Sequence, residues 1–541
     1  MKLNFSTLAL YVLHQLAKAG FEAYIVGGAV RDLIGESLGP TQAKGAQVID
    51  YDLATNATPE EILRVFPDSF YENEFGTVMI TDHDLRQQVD LVLPSVSPIS
   101  TPADQKPGSK IIDLAKARKV HSSLHKQAEL AARRTVELAP TVIRPNFEIT
   151  TYRSKEIYAN FRHPAQLEWG KTIQEDLARR DFTINALAVG VTPAKLTQLF
   201  DHGAPTKASQ ELNEGEYQLI DRFQGLADLK QQLIRAVGDP RVRFQEDALR
   251  LLRAIRFSVE LGFAIEPATM AAITTNAKLL SQISQERVRD ELLKMLGSAQ
   301  PARAITLLDE SGLLTQIIPE LAATKGVEQG GHHTTDVWTH SLDALANCPS
   351  PDPIVRLSTL LHDISKPQTY HKQPDGKITF YSHEVIGSRV AKQIAKRLKL
   401  SKHDQDRIFG LVRYHMFHYQ PHNSDASIRR FMRKVGLENI DDILDVREGD
   451  RLGSGARKTS WRLEEMKERI IEQLNQPLEI SDLAISGHDL MAELRLKPGP
   501  IIGQLLHQLF EVVLETPDQN IKDTLLEQAR RIIAENETQS T

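Results

Sequence analysis

Short apolar runs and segments of helical spacing alternate along the first part of the chain. Four runs bounded by turn residues predict β-strands: AYIV, VIDYDLAT, TVMITD and QVDLVLP. LALYVLHQLAKAG and TPEEILRVF have apolar positions at helical spacing, and the second begins with Thr58 as an N-cap and Pro59 in its first turn. A fifth strand is predicted at NFEITTYR. This order indicates a small α/β unit.

Two other patterns complete the chain. Residues 95–146 interrupt the α/β order with Pro-, Ser- and Lys-rich ends around a helix-like segment, and we interpret them as an insertion. From about Thr172 onward helical patterns dominate, and no internal repeat is visible. The sequence therefore predicts an α+β multidomain protein, in which an α/β head precedes an all-helical remainder.

One helical pattern, FQEDALRLLRAIRF (244–257), has an arginine at every third position after Asp247. Its apolar positions predict one amphipathic helix. Two interpretations are open at this point. The polar side chains form either a solvated face with i,i+3 ion pairs, or a surface on which Asp247 and the arginines contact a ligand.

Composition adds broad limits. The 541 residues are enough for several domains, and 41% hydrophobic with 25% charged residues is ordinary for a globular protein. No apolar stretch approaches the roughly 18 residues of a membrane span, so no membrane partner is expected. The single cysteine, Cys348, excludes an internal disulfide framework and favours a reducing, cytoplasmic compartment. Because the net charge is −6, any polyanion must bind a local basic patch.

The strongest candidate chemistry lies in IDYDLA. Asp50 and Asp52 are two positions apart on a predicted strand, which places both carboxylates on one face. Two such carboxylates can hold Mg²⁺ ions for phosphoryl transfer. Glu148, on another predicted strand, is a candidate third carboxylate, and Asp90 is its rival.

A phosphate site is predicted beside these carboxylates. In GGAVRD, Gly27 and Gly28 separate a strand from a helix, so backbone N–H groups and the helix N-terminus can approach a phosphate. Arg31 can add a charge-assisted contact to a triphosphate oxygen. Further along, RRDFTINALA contributes Arg180 to the candidate site.

One ordered set of motifs extends to about Leu296. It comprises GGAVRD, IDYDLATNATPEE, FGTVMI, EITTYRS, RRDFTINALA, FQEDALRLLRAIRF and ISQERVRDELLKML. This set closely resembles the bacterial tRNA nucleotidyltransferase/poly(A) polymerase family, the class II CCA-adding enzymes. The resemblance implies a polymerase-β-like nucleotidyltransferase head and a helical neck. It also implies addition of C, C and A to the 3′ end of tRNA from CTP and ATP, with Mg²⁺ and without a nucleic-acid template.

The resemblance gives Asp247 and Arg250 a specific role. Cytosine and adenine each present an amino donor beside a ring-nitrogen acceptor, which a carboxylate and an arginine on adjacent turns of one helix can pair with. Guanine and uracil present a carbonyl where the amino group should be, and a carboxylate repels it. The resemblance further assigns Arg253, Arg256 and Arg180 to the nucleotide or its phosphates. In the inferred reaction the tRNA 3′-hydroxyl attacks the α-phosphate and pyrophosphate leaves.

The specificity within this family is left partly open. The segment NEFGTVMI lacks the arginines of the poly(A) polymerase branch, which favours CCA addition. TTYRSKEIYANFRHP (150–164) corresponds to the flexible loop that separates enzymes able to add A from CC-only enzymes, but it departs from the usual acid- and glycine-rich form. A-only addition and poly(A) synthesis therefore stay as alternatives.

A second constellation lies in the C-terminal half. The candidate metal ligands are His340, His362, Asp363 and Asp450, with His383 and His415 as further candidates. Imidazoles and carboxylates on separate helices can converge on a divalent transition metal with open positions. Their order, with His-Asp adjacent in LLHDISKP, resembles the HD phosphohydrolase domain. The resemblance implies phosphatase or 2′,3′-cyclic phosphodiesterase activity, so a tRNA-binding phosphohydrolase with a silent polymerase site is an alternative of another class.

A basic surface for tRNA is predicted in the same half. Lysines and arginines concentrate in 392–413 and 429–434 of an otherwise acidic chain. The alternative is that these side chains extend over a core from solvated helix faces. The predicted domains are the head (1–215, with the insertion at about 95–146), the neck (216–325), the HD domain (326–455) and a helical tail (456–541).

Overall fold

The structure is a computed structural model, and it describes residues 1–38, 50–71, 76–89, 146–158, 164–201, 207–330, 335–417, 419–456 and 461–539. The described residues form two compact units, one up to Ala322 and one from Ala323 onward. The predicted insertion lies outside the described residues except at its last position.

A mixed sheet of seven strands organises the first unit. Its spatial order is β11-β9-β2-β3-β6-β5-β4. The strands of this unit are β1 (Leu3–Ser6), β2 (Ala23–Val26), β3 (Asp50–Thr55), β4 (Phe70–Tyr71), β5 (Thr77–Thr81), β6 (Asn146–Thr151), β7 (Arg153–Tyr158), β8 (Pro164–Trp169), β9 (Leu187–Val191), β10 (Ser209–Leu212), β11 (Tyr217–Asp221), β12 (Leu233–Ile234) and β13 (Ala264–Ile265).

The centre of this sheet is the parallel pair β3 and β6. In its register Asp52 is opposite Glu148, and Tyr51 is opposite Phe147. The Tyr51 and Phe147 rings are buried and stacked with centroids 5.4 Å apart. Because side chains alternate along a strand, this apolar stack lies on the other face of the sheet from the two carboxylates and fixes the register between them.

Helices cover the sheet and then continue the first unit. They are α1 (Thr7–Lys18), α2 (Gly28–Leu38), α3 (Pro59–Val65), α4 (Asp82–Val89), α5 (Ile173–Ala178), α6 (Pro193–Phe200), α7 (Gly225–Gln231), α8 (Pro240–Glu246), α9 (Leu249–Leu261), α10 (Pro267–Asn276), α11 (Gln285–Gly297), α12 (Pro301–Glu310), α13 (Leu314–Ile317) and α14 (Pro319–Ala322). Thr58 caps α3, as its sequence predicts, because its side chain accepts from the Glu61 N–H.

Three sequence predictions differ from the structure. The strand predicted at QVDLVLP is wrong at its start, because residues 88–89 end helix α4 and the remainder lies outside the described residues. Strands β9 and β11 join the central sheet within the region where helical patterns were expected to dominate. The segment compared with a flexible loop contributes strand β7, which pairs with β8.

In its described residues the second unit is helical, with one small hairpin of β14 (His371–Lys372) and β15 (Ile378–Thr379). Its helices are α15 (Val337–Ala346), α16 (Pro353–Leu361), α17 (Lys366–Thr369), α18 (His383–Arg397), α19 (Lys402–Tyr414), α20 (Asp425–Val435), α21 (Ile440–Gly453), α22 (Trp461–Gln473), α23 (Gly487–Leu494), α24 (Pro500–Glu515) and α25 (Lys522–Gln539). One buried apolar cluster lies among α19–α22, and another joins α23–α25.

Two glycines bring α15 and α21 unusually close together. A Cβ at Gly453 would lie 2.6 Å from the backbone N of Ala344, and one at Gly449 would lie 2.7 Å from the Ala344 carbonyl oxygen. Both contacts are to the backbone of Ala344, so a side chain at either glycine would push the two helices apart. Their close contact places His340 of α15 beside Asp450 of α21.

The predicted fold class is confirmed, because an α/β unit precedes a helical one. Among the described residues, no helix combines the length and apolar character that crossing a membrane requires.

Candidate functional site

A cleft of about 750 Å³ in the first unit contains most of the residues predicted for the head. Among the residues that the structure describes, nine basic side chains and four carboxylates line it. The carboxylates are Asp52, Glu148, Asp181 and Asp247. Since the whole chain has a net charge of −6, this local excess of positive charge marks the cleft as a site for a polyanion.

Asp52 and Glu148 form the acidic part of this cleft. They are opposite each other on β3 and β6, and both line the cleft. Asp50 begins β3 two positions before Asp52. The rival third carboxylate, Asp90, lies outside the described residues. Carboxylate oxygens are the ligands that Mg²⁺ prefers, so the donor set of Asp52 and Glu148 suits this ion.

The glycine turn lets an arginine approach these carboxylates. Gly27 has φ +70°, and a Cβ there would lie 2.7 Å from Nη1 of Arg180 and 3.1 Å from Oδ2 of Asp52. A residue with a side chain would therefore be strained and would displace Arg180. Gly28 begins α2, whose N-terminus faces the cleft.

The arginines near the turn are held by acceptors of the same unit. Arg31 donates to both carboxylate oxygens of Asp32, at 2.8 and 3.1 Å, and to Oδ1 of Asn185 at 3.0 Å. Arg180 donates to Oδ2 of the buried Asp176 through Nε and Nη2. Both guanidiniums are thus oriented before any ligand binds.

The structure corrects the single helix predicted over residues 244–257. Helix α8 ends at Glu246 and α9 begins at Leu249, with Asp247 in extended conformation between them. The Asp247 carboxylate accepts from the Leu249 N–H at 3.0 Å. This side-chain contact to the backbone competes with helical hydrogen bonding and separates the two helices.

The predicted pairing geometry of Asp247 with Arg250 is also different. Oδ2 of Asp247 accepts from Nη2 of Arg287 at 2.9 Å. Arg250 donates instead to Glu246 at 2.6 Å and to the carbonyl oxygens of Arg243 and Arg179. The two residues line one cleft from different positions around the helix break, so they do not lie on adjacent turns of one helix.

The other two arginines of this segment are ion-paired. Arg253 donates to Oδ2 of Asp181 at 2.7 Å. Burial would raise the pKa of Asp181, but Arg253 and then Arg250 lower it to about 2, so its carboxylate is ionised. Arg256 is buried and donates to Glu291 at 2.6 Å and to Glu260 at 2.8 Å. Their assignment to the nucleotide stays a prediction.

Sequence reasoning did not single out three basic residues that line the cleft: Arg153, Arg287 and Lys294. Arg287 and Lys294 belong to α11, whose sequence lies in the quoted motif ISQERVRDELLKML. The signal was therefore present, but the motif did not indicate which side chains of the helix face the cleft.

The six candidate metal ligands of the second unit converge. Nε2 of His340 lies 3.0 Å from Nε2 of His362 and 3.3 Å from Oδ1 of Asp450. Nε2 of His362 lies 3.1 Å from Oδ2 of Asp363. Donor atoms that share one ion at about 2.0–2.2 Å are themselves roughly 3–4 Å apart, so these separations fit a shared divalent metal.

The remaining two candidates, His383 and His415, lie beside the other carboxylate oxygen of Asp363. Oδ1 of Asp363 lies 3.4 Å from Nε2 of His383 and 3.9 Å from Nε2 of His415. Within the described residues, the buried Nε2 of His415 has no hydrogen-bond partner. Lys366 donates to Oδ2 of Asp363 at 2.6 Å. The buried Nε2 of His415 is therefore available as a metal ligand.

Electrostatics support this interpretation. Burial would lower the pKa of His362, but Asp363 and then Asp450 raise it to about 10. Burial and the positive His362 lower the pKa of His415 to about 3. Burial would raise the pKa of Asp363, but His362 and then Lys366 hold it well below its usual range. Burial would likewise raise the pKa of Asp450, but His340 and then His362 hold it well below its usual range. The buried cluster thus contains two ionised carboxylates, and a divalent metal bound there would take the place of the proton on His362, because a coordinating imidazole is neutral.

The basic residues of this unit are partly neutralised. Lys392 and Lys402 both contact Asp406, and Arg407 contacts Asp352 and Asp442. Further along, arginine–glutamate pairs join α20 to α24. The tRNA surface predicted there stays a prediction.

The sheet with its facing carboxylates and the basic cleft beside it define a nucleotidyltransferase head. The chain belongs to the tRNA nucleotidyltransferase and poly(A) polymerase family. The family model described as "Poly A polymerase head domain" matches residues 23–93 and 109–235. The model "Probable RNA and SrmB- binding site of polymerase A" matches 262–325, and a model of tRNA nucleotidyltransferase domain 2 matches 379–529.

Relatives extend this likeness over most of the chain. An A-adding tRNA nucleotidyltransferase of Deinococcus radiodurans is 35% identical over 63% of this chain and 75% of its own. A CCA-adding enzyme of Leuconostoc citreum is 28% identical over 96% and 95%. The solved Bacillus stearothermophilus CCA-adding enzyme in complex with CTP has a TM-score of 0.59 at 23% identity, covers 98% of both chains and shares the fold.

Proposed function

We propose that the chain adds C, C and A to the 3′ end of tRNA, using CTP and ATP and releasing pyrophosphate. One observation carries this proposal: Asp52 and Glu148 face the same basic cleft as Asp247 and Arg250. One cleft thus contains carboxylates that can hold a metal, guanidiniums that can bind a triphosphate and a carboxylate that can pair with a base edge. These groups can therefore bind one nucleotide together. A cytoplasmic location is part of the proposal and rests on the single cysteine.

Asp50, Asp52 and Glu148 would hold Mg²⁺. When bound, this ion supplies charge neutralisation of the triphosphate and a lower pKa for the attacking hydroxyl. Arg31 and Arg180 orient the phosphates, because their guanidiniums are fixed by Asp32 and Asp176 and keep donors for ligand oxygens.

Asp247 would select the base. Its carboxylate accepts an amino hydrogen of cytosine or adenine and repels the carbonyl of uracil or guanine. Arg287 fixes the carboxylate from one side. Arg250 would donate to the ring nitrogen, using guanidinium hydrogens beyond those engaged by Glu246 and the two carbonyls.

A-only addition is the alternative within the same class. It is favoured by the 35% identity to an enzyme named as A-adding. Strand β7 lies within the region compared with the loop that separates A-adding from CC-only enzymes, and it pairs with β8.

The carboxylate assignment is tested with Asp52→Ala. Nucleotide addition to tRNA should fall below detection, because the donor set for the metal is lost, while tRNA binding in a filter assay should persist. Asp68→Ala, an exposed aspartate of the same unit, should add nucleotides at the wild-type rate. Turnover by Asp52→Ala would contradict the assignment.

A second function is supported by the histidine and aspartate cluster. We infer a metal-dependent phosphohydrolase centre in which His340, His362, Asp363 and Asp450 hold a divalent transition metal, with His383 and His415 beside them. The convergence of six buried side chains with a hydrogen-bond-free Nε2 on His415 carries this inference.

This second function is tested with His362→Ala. Hydrolysis of a phosphate ester in the presence of several divalent metals should be lost, whereas nucleotide addition should be unchanged. His488→Ala, a histidine of α23 distant in sequence from the cluster, is the matched control. A wild-type protein that is inert on phosphate esters and binds none of the metals would overturn the inference.

A further inference from the structure

An exposed tryptophan lies at the edge of the basic cleft. Trp169 ends β8 and is 45% exposed, so part of a large apolar surface is in contact with solvent. The tip of its ring packs on Gly76, because a Cβ there would lie 2.3 Å from Cη2 of Trp169. Gly76 immediately precedes Thr77, which lines the cleft. The glycine therefore lets the tryptophan ring lie close to the wall of the cleft.

The pairing of β7 with β8 places this side chain on the cleft's face. Trp169 is directly opposite Arg153 in the antiparallel register. Side chains of directly opposed residues lie on the same face of a strand pair. Arg153 lines the cleft, and its Nη2 donates to Oγ1 of Thr77 at 3.4 Å. Trp169 thus shares its face of the strand pair with a residue of the cleft.

The end of this strand pair is fixed to the central sheet. The Gly170 N–H donates to the carbonyl oxygen of the buried Tyr152 at 2.7 Å. The Tyr152 N–H donates in turn to the carbonyl oxygen of Thr55 at 2.8 Å, and Thr55 ends β3, the strand of Asp52. The backbone beside Trp169 is therefore held in place before any ligand binds, which lowers the entropic cost of binding.

The strand order separates two sides of the cleft. Neighbouring strands follow the order β2-β3-β6-β5. The metal-binding carboxylates on β3 and β6 thus lie between the Gly27 turn after β2 and Thr77 on β5. The turn and its arginines form the proposed triphosphate side. In an in-line displacement the attacking hydroxyl and the leaving pyrophosphate are on opposite sides of the α-phosphate. The attacking RNA end is therefore expected on the side of β5 and Trp169.

We propose that Trp169 is a stacking platform for the unpaired base at the 3′ end of the acceptor tRNA. Any base can stack on an aromatic ring, which suits an acceptor whose last nucleotide changes as addition proceeds. Arg153, on the same face, places positive charge beside the backbone of that nucleotide. This inference rests on the proposed nucleotide addition and deepens it: Trp169 positions the attacking hydroxyl, whereas Asp247 and Arg250 select the incoming base.

The direct test uses the fluorescence of Trp169, which a stacked base quenches. The chain has three tryptophans, so Trp338→Phe combined with Trp461→Phe leaves Trp169 alone. The probe is an RNA hairpin with a single-stranded 3′ C, added without metal or nucleotide, and the comparison is the same hairpin with a blunt end. The overhanging hairpin should quench the fluorescence and the blunt one should not. Equal quenching by both hairpins, or no quenching by either, would overturn the proposal.

A kinetic measurement decides if the single-tryptophan chain does not fold. With the overhanging hairpin as acceptor, Trp169→Ala should raise KM for the RNA roughly 5- to 100-fold, because one stacked base is lost. KM for CTP and the preference for CTP over UTP should not change. Trp169→Phe retains a ring and should restore most of the affinity for the RNA. Trp461→Ala, at an exposed tryptophan of the second unit, is the control and should behave as wild type does.

A structural role of Trp169 would give a different result. Equal increases of KM for the RNA and for CTP, or a Trp169→Phe variant as impaired as Trp169→Ala, would overturn the proposal. Its failure is distinguishable from failure of the proposed function. A wild-type chain that adds no nucleotide would refute the function, while quenching still shows whether Trp169 binds a base. Intact addition with quenching and KM independent of Trp169 would refute the stacking platform alone.

Discussion

At the residue scale, the arginines of the cleft are oriented by acceptors of the protein itself. Arg253 contacts the ionised Asp181, and Arg250 is held by Glu246 and two backbone carbonyls. Each guanidinium has five N–H donors, so donors are left for a nucleotide. Pre-oriented donors lose little conformational entropy on binding and require little rearrangement during the reaction.

Arg287 contacts the carboxylate of Asp247 and is expected to position it for base selection. We predict that Arg287→Met lowers kcat/KM for CTP by roughly 10-fold and reduces the preference for CTP over UTP. The physical reason is that Oδ2 of Asp247 loses its donor, so the carboxylate that reads the base is no longer fixed. The measurement is single-nucleotide incorporation with each of the four triphosphates.

Arg289→Met is the matched control for this variant, because Arg289 lies on the same helix and pairs with the neighbouring Asp290. It should retain the wild-type preference. Asp247→Ala should relax selectivity at least as much as Arg287→Met. A CTP to UTP ratio that is unchanged in Arg287→Met would show that Arg287 does not position the base-reading carboxylate.

The sequence predicted some of these side chains and not others for a physical reason. Asp52 and Glu148 could be predicted because strand periodicity and motif order are local properties of the chain. The bond from Arg287 to Asp247 joins residues 40 positions apart. Such a contact depends on how α11 packs beside α9, and no local pattern encodes that packing.

At the element scale, the break between α8 and α9 was invisible to hydrophobic periodicity. The apolar positions of residues 244–257 continue at helical spacing across it. A single contact from the Asp247 side chain to the Leu249 N–H changes the backbone there without changing the apolar pattern. The strand predicted over 88–94 is wrong at residues 88–89 for a similar reason, since a short apolar run does not distinguish a strand from a helix end.

The close packing of α15 against α21 can be tested by a single substitution. We predict that Gly453→Ala lowers the free energy of unfolding of the protein by roughly 1–3 kcal/mol, because its Cβ would lie 2.6 Å from the Ala344 backbone. The helices would be forced apart, separating His340 from Asp450, and binding of divalent metals should weaken. Thermal unfolding and equilibrium dialysis measure the two effects.

Gly410→Ala is the control for that substitution. Gly410 also lies within a helix, α19, but a Cβ there would have nothing within 4 Å. It should stabilise the protein by up to about 1 kcal/mol through helix propensity and should leave metal binding unchanged. Equal behaviour of the two alanine variants would contradict the close-packing account of the cluster.

At the scale of the whole molecule, the distribution of charge distinguishes the sites. The chain is acidic overall, yet the cleft of the first unit is strongly basic and the buried cluster of the second unit contains ionised carboxylates. These opposite environments suit a triphosphate in the first unit and a cation in the second. The order of an α/β unit before a helical one was predictable from the pattern, whereas the predicted domain boundaries stay predictions.

Addition of C, C and A to tRNA by the basic cleft can be measured directly. The most direct measurement gives the purified chain three tRNAs, which end before CCA, after the first C and after the second C, together with CTP and ATP. All three tRNAs should be extended to the same CCA end and no further. Extension of only the tRNA ending in CC, a ladder of added A residues, or no extension of any of the three would overturn CCA addition as the function of the cleft.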